Sequence, residues 1–238
     1  MFEKFKQRLS GVEEKIDDFN LKGAELIKNL KEIEGYNKML GGHNALLNAL
    51  NKTIFTFSKK KEYTLLDTGC GGGDTMIRAA EVATKKGYSL KMKGVDANPF
   101  IVDYAQSRTK NNANIKIDIG DVFDNNFFSE SYDFVSANIF LHHFSEDEIV
   151  SFIKHAMSKT NQAIIICDLH RNTISYYAFI AIAILFRANH ITINDGKISI
   201  LKGFKKKEWR AILEKAGAKN YEIKWMWAFR HQIIVYCR

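Results

Sequence analysis

The sequence has few of the residues that stiffen or cross-link a chain. Its 238 residues include one proline and three cysteines. The low proline content and the 46% share of hydrophobic residues exclude a disordered or collagen-like chain and indicate a globular one. The odd number of cysteines (Cys70, Cys167 and Cys237) excludes a disulfide-dense secreted scaffold. We therefore expect reduced thiols and a cytoplasmic protein.

Long uncharged runs and a leader pattern are also missing. Residues 175–186 are uncharged and mostly apolar, but a membrane span needs about 20 such residues. This stretch predicts a buried or interfacial helix, with a helix lying on a membrane surface as the alternative. Residues 1–10 alternate charges with phenylalanine and leucine, so we expect no signal peptide.

The charge is strongly positive, with a formal net charge of +8 and a pI of about 9.2. Such a balance suits nucleic acid, an anionic membrane surface, or a solvated surface without a partner. The lysines are spread along the chain and are not interleaved with aromatic residues as in RNA-binding proteins. We expect no nucleic-acid partner, and transient contact with a membrane surface stays open.

The most informative stretch is a glycine-rich turn. An apolar run at residues 63–66 ends at Asp67, and Gly69, Gly71 and Gly73 follow at alternate positions. This order predicts a strand, a tight turn and the start of a helix. Glycine reaches positive φ at little cost and lets a ligand approach the backbone closely. The turn is therefore suited to hold a ligand.

Spacing distinguishes two kinds of cofactor for this turn. A dinucleotide fold needs Gly-x-Gly-x-x-Gly, whereas the sixth position counted from Gly69 is Asp74. An acid at the start of that helix repels a diphosphate, which weakens the interpretation as a nicotinamide-dependent reductase. The pattern Asp67-x-Gly69-x-Gly71-x-Gly73 resembles the first motif of the class I S-adenosylmethionine-dependent methyltransferases. Most of the chain resembles the bacterial small-molecule type, through Leu-Gly-Gly-His at residues 40–43, Phe-Leu-His-His-Phe at 140–144 and Asp-Leu-His-Arg at 168–171.

Apolar runs and helical periodicity alternate along the rest of the chain. They predict an α/β fold with a doubly wound, mostly parallel seven-stranded sheet whose last strand is antiparallel. The predicted strands after the first cover residues 90–95, 115–119, 132–138, 163–168, 221–227 and 231–236, and the predicted helices cover 74–86, 98–110, 145–159 and 204–216.

Two regions lie outside this core. Residues 1–58 have helical spacing from Phe2 and Phe5 onward, with breaks at Gly35 and at Gly41 and Gly42. We expect an N-terminal helical lid there, followed by a methyltransferase domain over residues 59–238 that begins with three lysines. An insertion at about 170–203 contains the helix at 175–186, and residues 191–200 are predicted to form a hairpin around Asp195-Gly196.

The resemblance implies a set of cofactor ligands. Asp96 ends the second strand, where two ribose hydroxyls donate to one carboxylate, and Asp121 matches the family acid that binds the adenine amine. With their neighbours they give the set Asp67, Thr68, Gly69, Cys70, Gly71, Gly73, Asp96, Ala97, Asn98, Asp121, Val122 and Asn138. The implied cofactor is S-adenosylmethionine and the product S-adenosylhomocysteine.

Histidines are the candidate bases. Methyl transfer to a hydroxyl needs in-line alignment and loss of a proton, and an imidazole near neutrality suits that step. The candidates are His143, which we favour, His142 and His43. Neighbours on one short loop are not expected to face one point, so we expect at most one of His142 and His143 to act. For any single histidine a structural role is the alternative. The predicted substrate-binding residues are Tyr36, His43, His143, His170 and Arg171. No acid and imidazole spacing resembles a metal site, so no metal is expected.

The resemblance implies methylation of a small molecule at a phenolic or polyketide/quinone-like hydroxyl. Residues 138–141 read Asn-Ile-Phe-Leu rather than Asn-Pro-Pro-Tyr, which disfavours amino methylation of nucleic acid or glutamine. Two alternatives remain: an inactive methyltransferase-fold scaffold or membrane-surface binding protein, and the reductase. A monomer and a homodimer are both compatible with the sequence.

Overall fold

A seven-stranded sheet forms the centre of the computed structural model, which describes residues 3–18, 21–56, 58, 62–124 and 127–237. The strands are β1 (Glu62–Thr68), β2 (Ser89–Asp96), β3 (Ile115–Ile119), β4 (Tyr132–Asn138), β5 (Thr160–Leu169), β6 (Tyr221–Met226) and β7 (Arg230–Tyr236). Their order is β3-β2-β1-β4-β5-β7-β6, parallel except for β7, which is antiparallel to both its neighbours. The predicted sheet is confirmed, and the bounds of β3 and β4 are the predicted ones.

Helices cover both faces of this sheet. They are α1 (Gly23–Met39), α2 (Gly42–Lys52), α3 (Asp74–Lys86), α4 (Pro99–Thr109), α5 (Glu146–Lys159), α6 (Thr173–Leu185), α7 (His190–Lys202) and α8 (Lys206–Lys215). Apolar side chains of α2, α3 and α4 pack on one face, and those of α5 and α8 pack on the other. Burial on both faces explains why β5 carries three consecutive isoleucines.

Side-chain caps fix where two of these helices begin. The Asn98 side chain accepts hydrogen bonds from the backbone N–H groups of Phe100 and Ile101, and Ser145 and Glu148 form the predicted capping box of α5. Both caps follow directly on a strand or the loop after it. The caps therefore help to place those segments at the carboxyl edge of the sheet.

The N-terminal region differs from the prediction. Residues 5–18, which we call the strap, are not a continuous helix: the described segment has only short 3-10 turns at Glu3–Phe5 and Lys15–Asp17. The predicted break at Gly35 is also wrong, because α1 runs through it; the chain turns at Gly41, whose φ is +70°. Phe2 and the lysine linker at 59–61 lie outside the described residues.

The insertion is helical throughout. The helix predicted at 175–186 is present as α6, but the hairpin predicted at 191–200 is wrong, since those residues belong to α7. The Asn189 side chain caps α7. Gly196 lies inside this helix, and its lack of a side chain is explained by the Phe179 ring of α6, which fills the space where a Cβ would be. Within the described part of the chain, no helix is long and apolar enough to cross a bilayer.

Candidate functional site

A cavity of about 1200 Å³ lies at the carboxyl ends of the parallel strands. The glycine turn after β1, the end of β2 and the loop after β4 form its floor, and the strap, α1, α6 and α7 enclose it. Ligands of open α/β sheets bind at this edge. The cavity is therefore the candidate active site.

The glycine turn presents backbone without side chains to the cavity. Gly69, Gly71 and Gly73 have φ values of +63°, +52° and +73°, which strain any other residue. A Cβ on Gly69 would lie 2.1 Å from the Phe140 ring. The Gly71 N–H donates to the Asp96 carboxylate at 3.1 Å, which ties the turn to the end of β2.

Carboxylates make this part of the cavity acidic. The pKa of Asp67 is raised to about 7, mainly by burial and also by the nearby Asp74 and Asp96, while a 2.6 Å hydrogen bond from the Ser136 hydroxyl acts in the opposite sense. Burial also raises the pKa of Asp96, although two backbone N–H groups stabilise its ionised form. Buried acids of this kind favour a cationic ligand over a diphosphate.

Most of the predicted cofactor residues line this cavity. They are Asp67, Gly69, Cys70, Gly71, Asp96, Ala97, Asn98, Asp121, Val122 and Asn138. Asp121 is exposed and accepts a hydrogen bond from the Phe123 N–H at 2.9 Å. Thr68 and Gly73 do not line the cavity: the Thr68 hydroxyl donates to the carbonyl of Ser136, and Gly73 begins α3.

The loop after β4 brings both histidines to the cavity. It begins at Ile139, whose φ of +52° is unusual for a β-branched residue. His142 is 1% exposed; its Nδ1 lies 2.7 Å from Asp168 Oδ1, and its backbone N–H donates to Oδ2. Burial alone raises the pKa of Asp168, but the interaction with His142 is strong enough to lower it. The Nε2 of His142 has no hydrogen-bond partner among the described residues.

His143 has a different environment. Its Nδ1 lies 2.9 Å from Asp17 Oδ2 of the strap. Burial opposes the charged imidazole, but the hydrogen bond to Asp17 and the charges of Asp17 and Glu14 outweigh it and raise the pKa of His143. Because His142 Nε2 and His143 Nδ1 each lie 3.8 Å from Glu14 Oε1, the expectation that the two rings cannot face one point is wrong.

Glu14 and Lys202 belong to this cluster, and neither was predicted from the sequence. The two residues are 4% and 5% exposed, and Lys202 Nζ lies 3.3 Å from Glu14 Oε1. The ligand atoms of Glu14, His142 and His143 lie within 4.8 Å of one another, a spacing compatible with a metal ion. The ammonium of Lys202 already supplies positive charge beside Glu14. No local signal marks these residues, since one lies on the strap and the other at the end of α7.

Hydrogen bonds between side chains and backbone groups hold the strap in place. Arg8 donates to the carbonyl oxygens of His142, Phe144 and Lys202 at 2.6–2.7 Å. The Asp195 carboxylate accepts from two successive backbone N–H groups of the strap, at Lys15 and the next residue. These contacts join the strap both to the histidine loop and to α7.

Three predicted site residues are not brought to the cavity wall, whereas Tyr36 lines it. His43 Nε2 lies 2.6 Å from Asp74 Oδ2. The His170 ring packs 4.6 Å from the ring of His231. Arg171 is 1% exposed and forms a salt bridge with Glu208 on α8 at 2.6 Å. His43, His170 and Arg171 therefore contact other side chains of the protein instead of lining the cavity.

Comparison with proteins of known structure gives the same fold. The plantazolicin methyltransferase in complex with SAH superimposes with a TM-score of 0.66 at 13% identity, covering 94% of each chain. Magnesium protoporphyrin IX methyltransferase from Synechocystis, with bound SAH, gives 0.56 at 17% identity, covering 82% of this chain and 83% of the other. An O-methyltransferase family 2 protein from Planctomyces limnophilus, in complex with apigenin, gives 0.65 at 14% identity, covering 99% and 65%. These likenesses concern the fold alone.

A curated relative and a family model extend the comparison to sequence. The ajmaline N-methyltransferase of Rauvolfia serpentina is 28% identical over 149 residues, which are 58% of this chain and 49% of the relative. The chain thus spans about half the length of that relative. The family model of the methyltransferase domain matches residues 59–217. With its seven-stranded sheet and glycine turn, the chain belongs to the class I S-adenosylmethionine-dependent methyltransferases.

Proposed function

We propose that this protein transfers the methyl group of S-adenosylmethionine to a hydroxyl group of a small molecule, of the phenolic or polyketide/quinone-like kind. The observation that carries the proposal is the buried pair of His142 and Asp168 beside the glycine turn. It puts a candidate base and a candidate cofactor site in one cavity.

The chain's own residues fit this cofactor. Asp96 would accept hydrogen bonds from ribose hydroxyls, Asp121 would accept one from the adenine amine, and the bare backbone of Gly69 and Gly71 leaves room for the methionine part. The buried carboxylates match the positive charges of the ammonium and the sulfonium. When bound, the cofactor supplies an electrophilic methyl group on sulfur.

We propose His142, rather than His143, as the base. Hydrogen bonding of Nδ1–H to Asp168 leaves Nε2 as the basic nitrogen, and Nε2 makes no hydrogen bond to the described residues. It would take the proton of the acceptor hydroxyl, and Asp168 would stabilise the imidazolium. His143 is less suited to act as the base, because its raised pKa leaves a larger fraction of the imidazole protonated near neutral pH.

The N-terminal region 1–58 would act as a lid over this site. Its strap contributes Glu14 and Asp17 to the cavity wall, and α1 contributes Tyr36. A closed lid excludes water from the reacting groups. The three free cysteines are in keeping with a cytoplasmic location.

The cofactor is tested first, by thermal unfolding with S-adenosylhomocysteine, S-adenosylmethionine, NADH and NADPH. A ligand at about 100 times its Kd raises the free energy of unfolding by about 2.7 kcal/mol and the Tm by about 5–10 °C. We expect a shift with the adenosyl ligands only. A shift with a nicotinamide alone would restore the reductase alternative, and no shift at all would favour the scaffold.

The base is tested with acceptors of several kinds, including phenols, hydroxyquinones and nitrogen acceptors, since one relative is named for N-methylation. On a hydroxyl acceptor, His142→Asn should lower kcat by about 100-fold or more with cofactor binding retained. His143→Asn is the matched control and should keep most of the activity. Full turnover by His142→Asn would remove His142 as the base, and turnover of nitrogen acceptors alone would replace the proposed acceptor class.

A further inference from the structure

The outer face of α6 is an exposed apolar surface. Its side chains at spacings of three and seven residues are open to solvent: Ile174 is 67% exposed, Tyr177 42% and Ile184 63%. Leu185 and Phe186 extend the surface at 75% and 60% exposure. We call these five residues the α6 outer face. A continuous apolar stripe is unusual on a surface that contacts only water.

The opposite side of α6 belongs to the cavity. Phe179 and Ile182 line it, and the Phe179 ring packs against Tyr36 with ring centroids 5.8 Å apart. The helix is therefore apolar on two sides. One side is explained by the cavity, and the outer face needs a different partner.

Charge identifies the kind of partner. No aspartate or glutamate occurs between Asp168 and Asp195, and the whole chain carries a net charge of +8. Lys4 Nζ lies 3.9 Å from the centre of the Tyr176 ring, at one end of the outer face, and Arg187 follows the other end. Neither cation forms a salt bridge with a carboxylate in the described part of the chain. An apolar stripe with unpaired cations at its two ends matches a lipid surface with anionic headgroups.

We propose that the α6 outer face docks on an anionic lipid bilayer. The helix has 13 residues, so it would lie in the plane of the membrane, with its apolar side chains below the headgroups and Lys4 and Arg187 among them. A second copy of the chain fits less well. Two copies meeting on this face would bring together Lys4 and Arg187 of each copy, which form no salt bridge within the described part of their own chain.

Docking has a consequence for the reaction, which rests on the proposed function. Because α6 separates the bilayer from the cavity, an apolar acceptor dissolved in the lipid would reach the cavity along this helix. Docking itself needs no acceptor. It can therefore be tested separately from methyl transfer.

Sedimentation with lipid vesicles tests the proposal. The full chain should bind vesicles of phosphatidylcholine and phosphatidylglycerol, bind phosphatidylcholine alone at least tenfold more weakly, and be partly released by salt. The double substitution Leu185→Ser and Phe186→Ser should weaken binding to the mixed vesicles at least tenfold. The control is Ile119→Ser. Ile119 is also exposed, at 61%, but it lies on β3, four strands away from β5, the strand that precedes α6. This control should bind like the unchanged chain.

Three results would overturn docking. They are failure of the full chain to bind mixed vesicles at low salt, equal loss of binding in the Ile119→Ser control, and a dimer in light scattering that the double substitution dissociates. The last result would assign the face to a second copy. Thermal unfolding with S-adenosylhomocysteine is measured on the same variants, so a failure of docking stays distinguishable from a failure of the proposed function.

Discussion

Replacing Asp67 by asparagine should make the protein more stable while weakening the site. The carboxyl group is 2% exposed, and its pKa is raised to about 7, mainly by burial. The unfolded chain has a pKa near 3.8 for this group. At about pH 8 the folded protein must therefore keep a charge that water would solvate better.

The size of the effect follows from the two pKa values. Each pKa unit corresponds to about 1.4 kcal/mol, so ionised Asp67 lowers the free energy of unfolding by as much as about 4 kcal/mol at high pH. Its folded pKa lies above its unfolded pKa, so this loss is present above about pH 7 and fades as the pH falls toward 4. Asparagine keeps the acceptor for the Ser136 hydroxyl and carries no charge.

Urea unfolding at about pH 8 and about pH 5 measures this directly. Asp67→Asn should be more stable than the unchanged chain by up to about 4 kcal/mol at the higher pH, and the gap should shrink at the lower pH. The contrasting variant is Asp168→Asn, which should destabilise at about pH 8 because the pKa of Asp168 is lowered by His142. An Asp67→Asn protein of equal or lower stability, or a stability difference that does not change with pH, would show that the ionised Asp67 carboxylate does not destabilise the folded protein. The same variant should bind S-adenosylmethionine more weakly.

Two further predictions concern other positions. His231 is 2% exposed, and burial, with its neighbour His170, lowers its pKa to about 4. A depressed histidine pKa contributes stability that is present above about pH 6.5 and is lost as the pH falls. Between about pH 8 and pH 5, the free energy of unfolding of the unchanged chain, measured in urea, should therefore fall by about 2 kcal/mol more than that of His231→Gln. Equal losses in the two proteins would contradict this prediction. Gly69→Ala should abolish binding of S-adenosylhomocysteine in calorimetry, because its Cβ would meet the Phe140 ring at 2.1 Å. Gly87→Ala, at φ +74° with open space around it, should lower the free energy of unfolding by only about 1–2 kcal/mol and keep the binding of S-adenosylhomocysteine. Similar behaviour of the two variants would mean that the positive φ, and not the contact with Phe140, causes the loss of binding.

Local sequence signals predicted the sheet well because each strand is marked by its own apolar residues and by a turn or cap. The bounds of β3 followed from its alternating apolar and polar residues, and those of β4 were also predicted correctly. The α7 segment was predicted wrongly because Asp195-Gly196 normally marks a turn. Here Gly196 makes room for Phe179 of another helix, and Asp195 accepts hydrogen bonds from the strap. Tertiary contacts, which a local pattern does not contain, decide this segment.

The candidate site divides in the same way. The residues predicted to hold the cofactor follow from a contiguous motif and from the ends of neighbouring strands, and most of them line the cavity. The choice between His142 and His143 depends on Asp168 at the end of β5, and thus on how β4 and β5 pair. Glu14 reaches the site from a strap whose spacing resembled a helix, although Val12 on that strap is 40% exposed. The spacing of residues in the sequence does not indicate that the strap passes over the site.

The three hydrogen bonds of Arg8 link closure of the site to the geometry of the candidate base. One guanidinium bridges the backbone on both sides of the histidine loop and the end of α7. Lifting the strap would therefore break the contacts of Arg8 with the loop that carries His142. We therefore expect movement of the strap to loosen the backbone of the histidine loop, while the two contacts of Asp168 continue to orient the His142 ring.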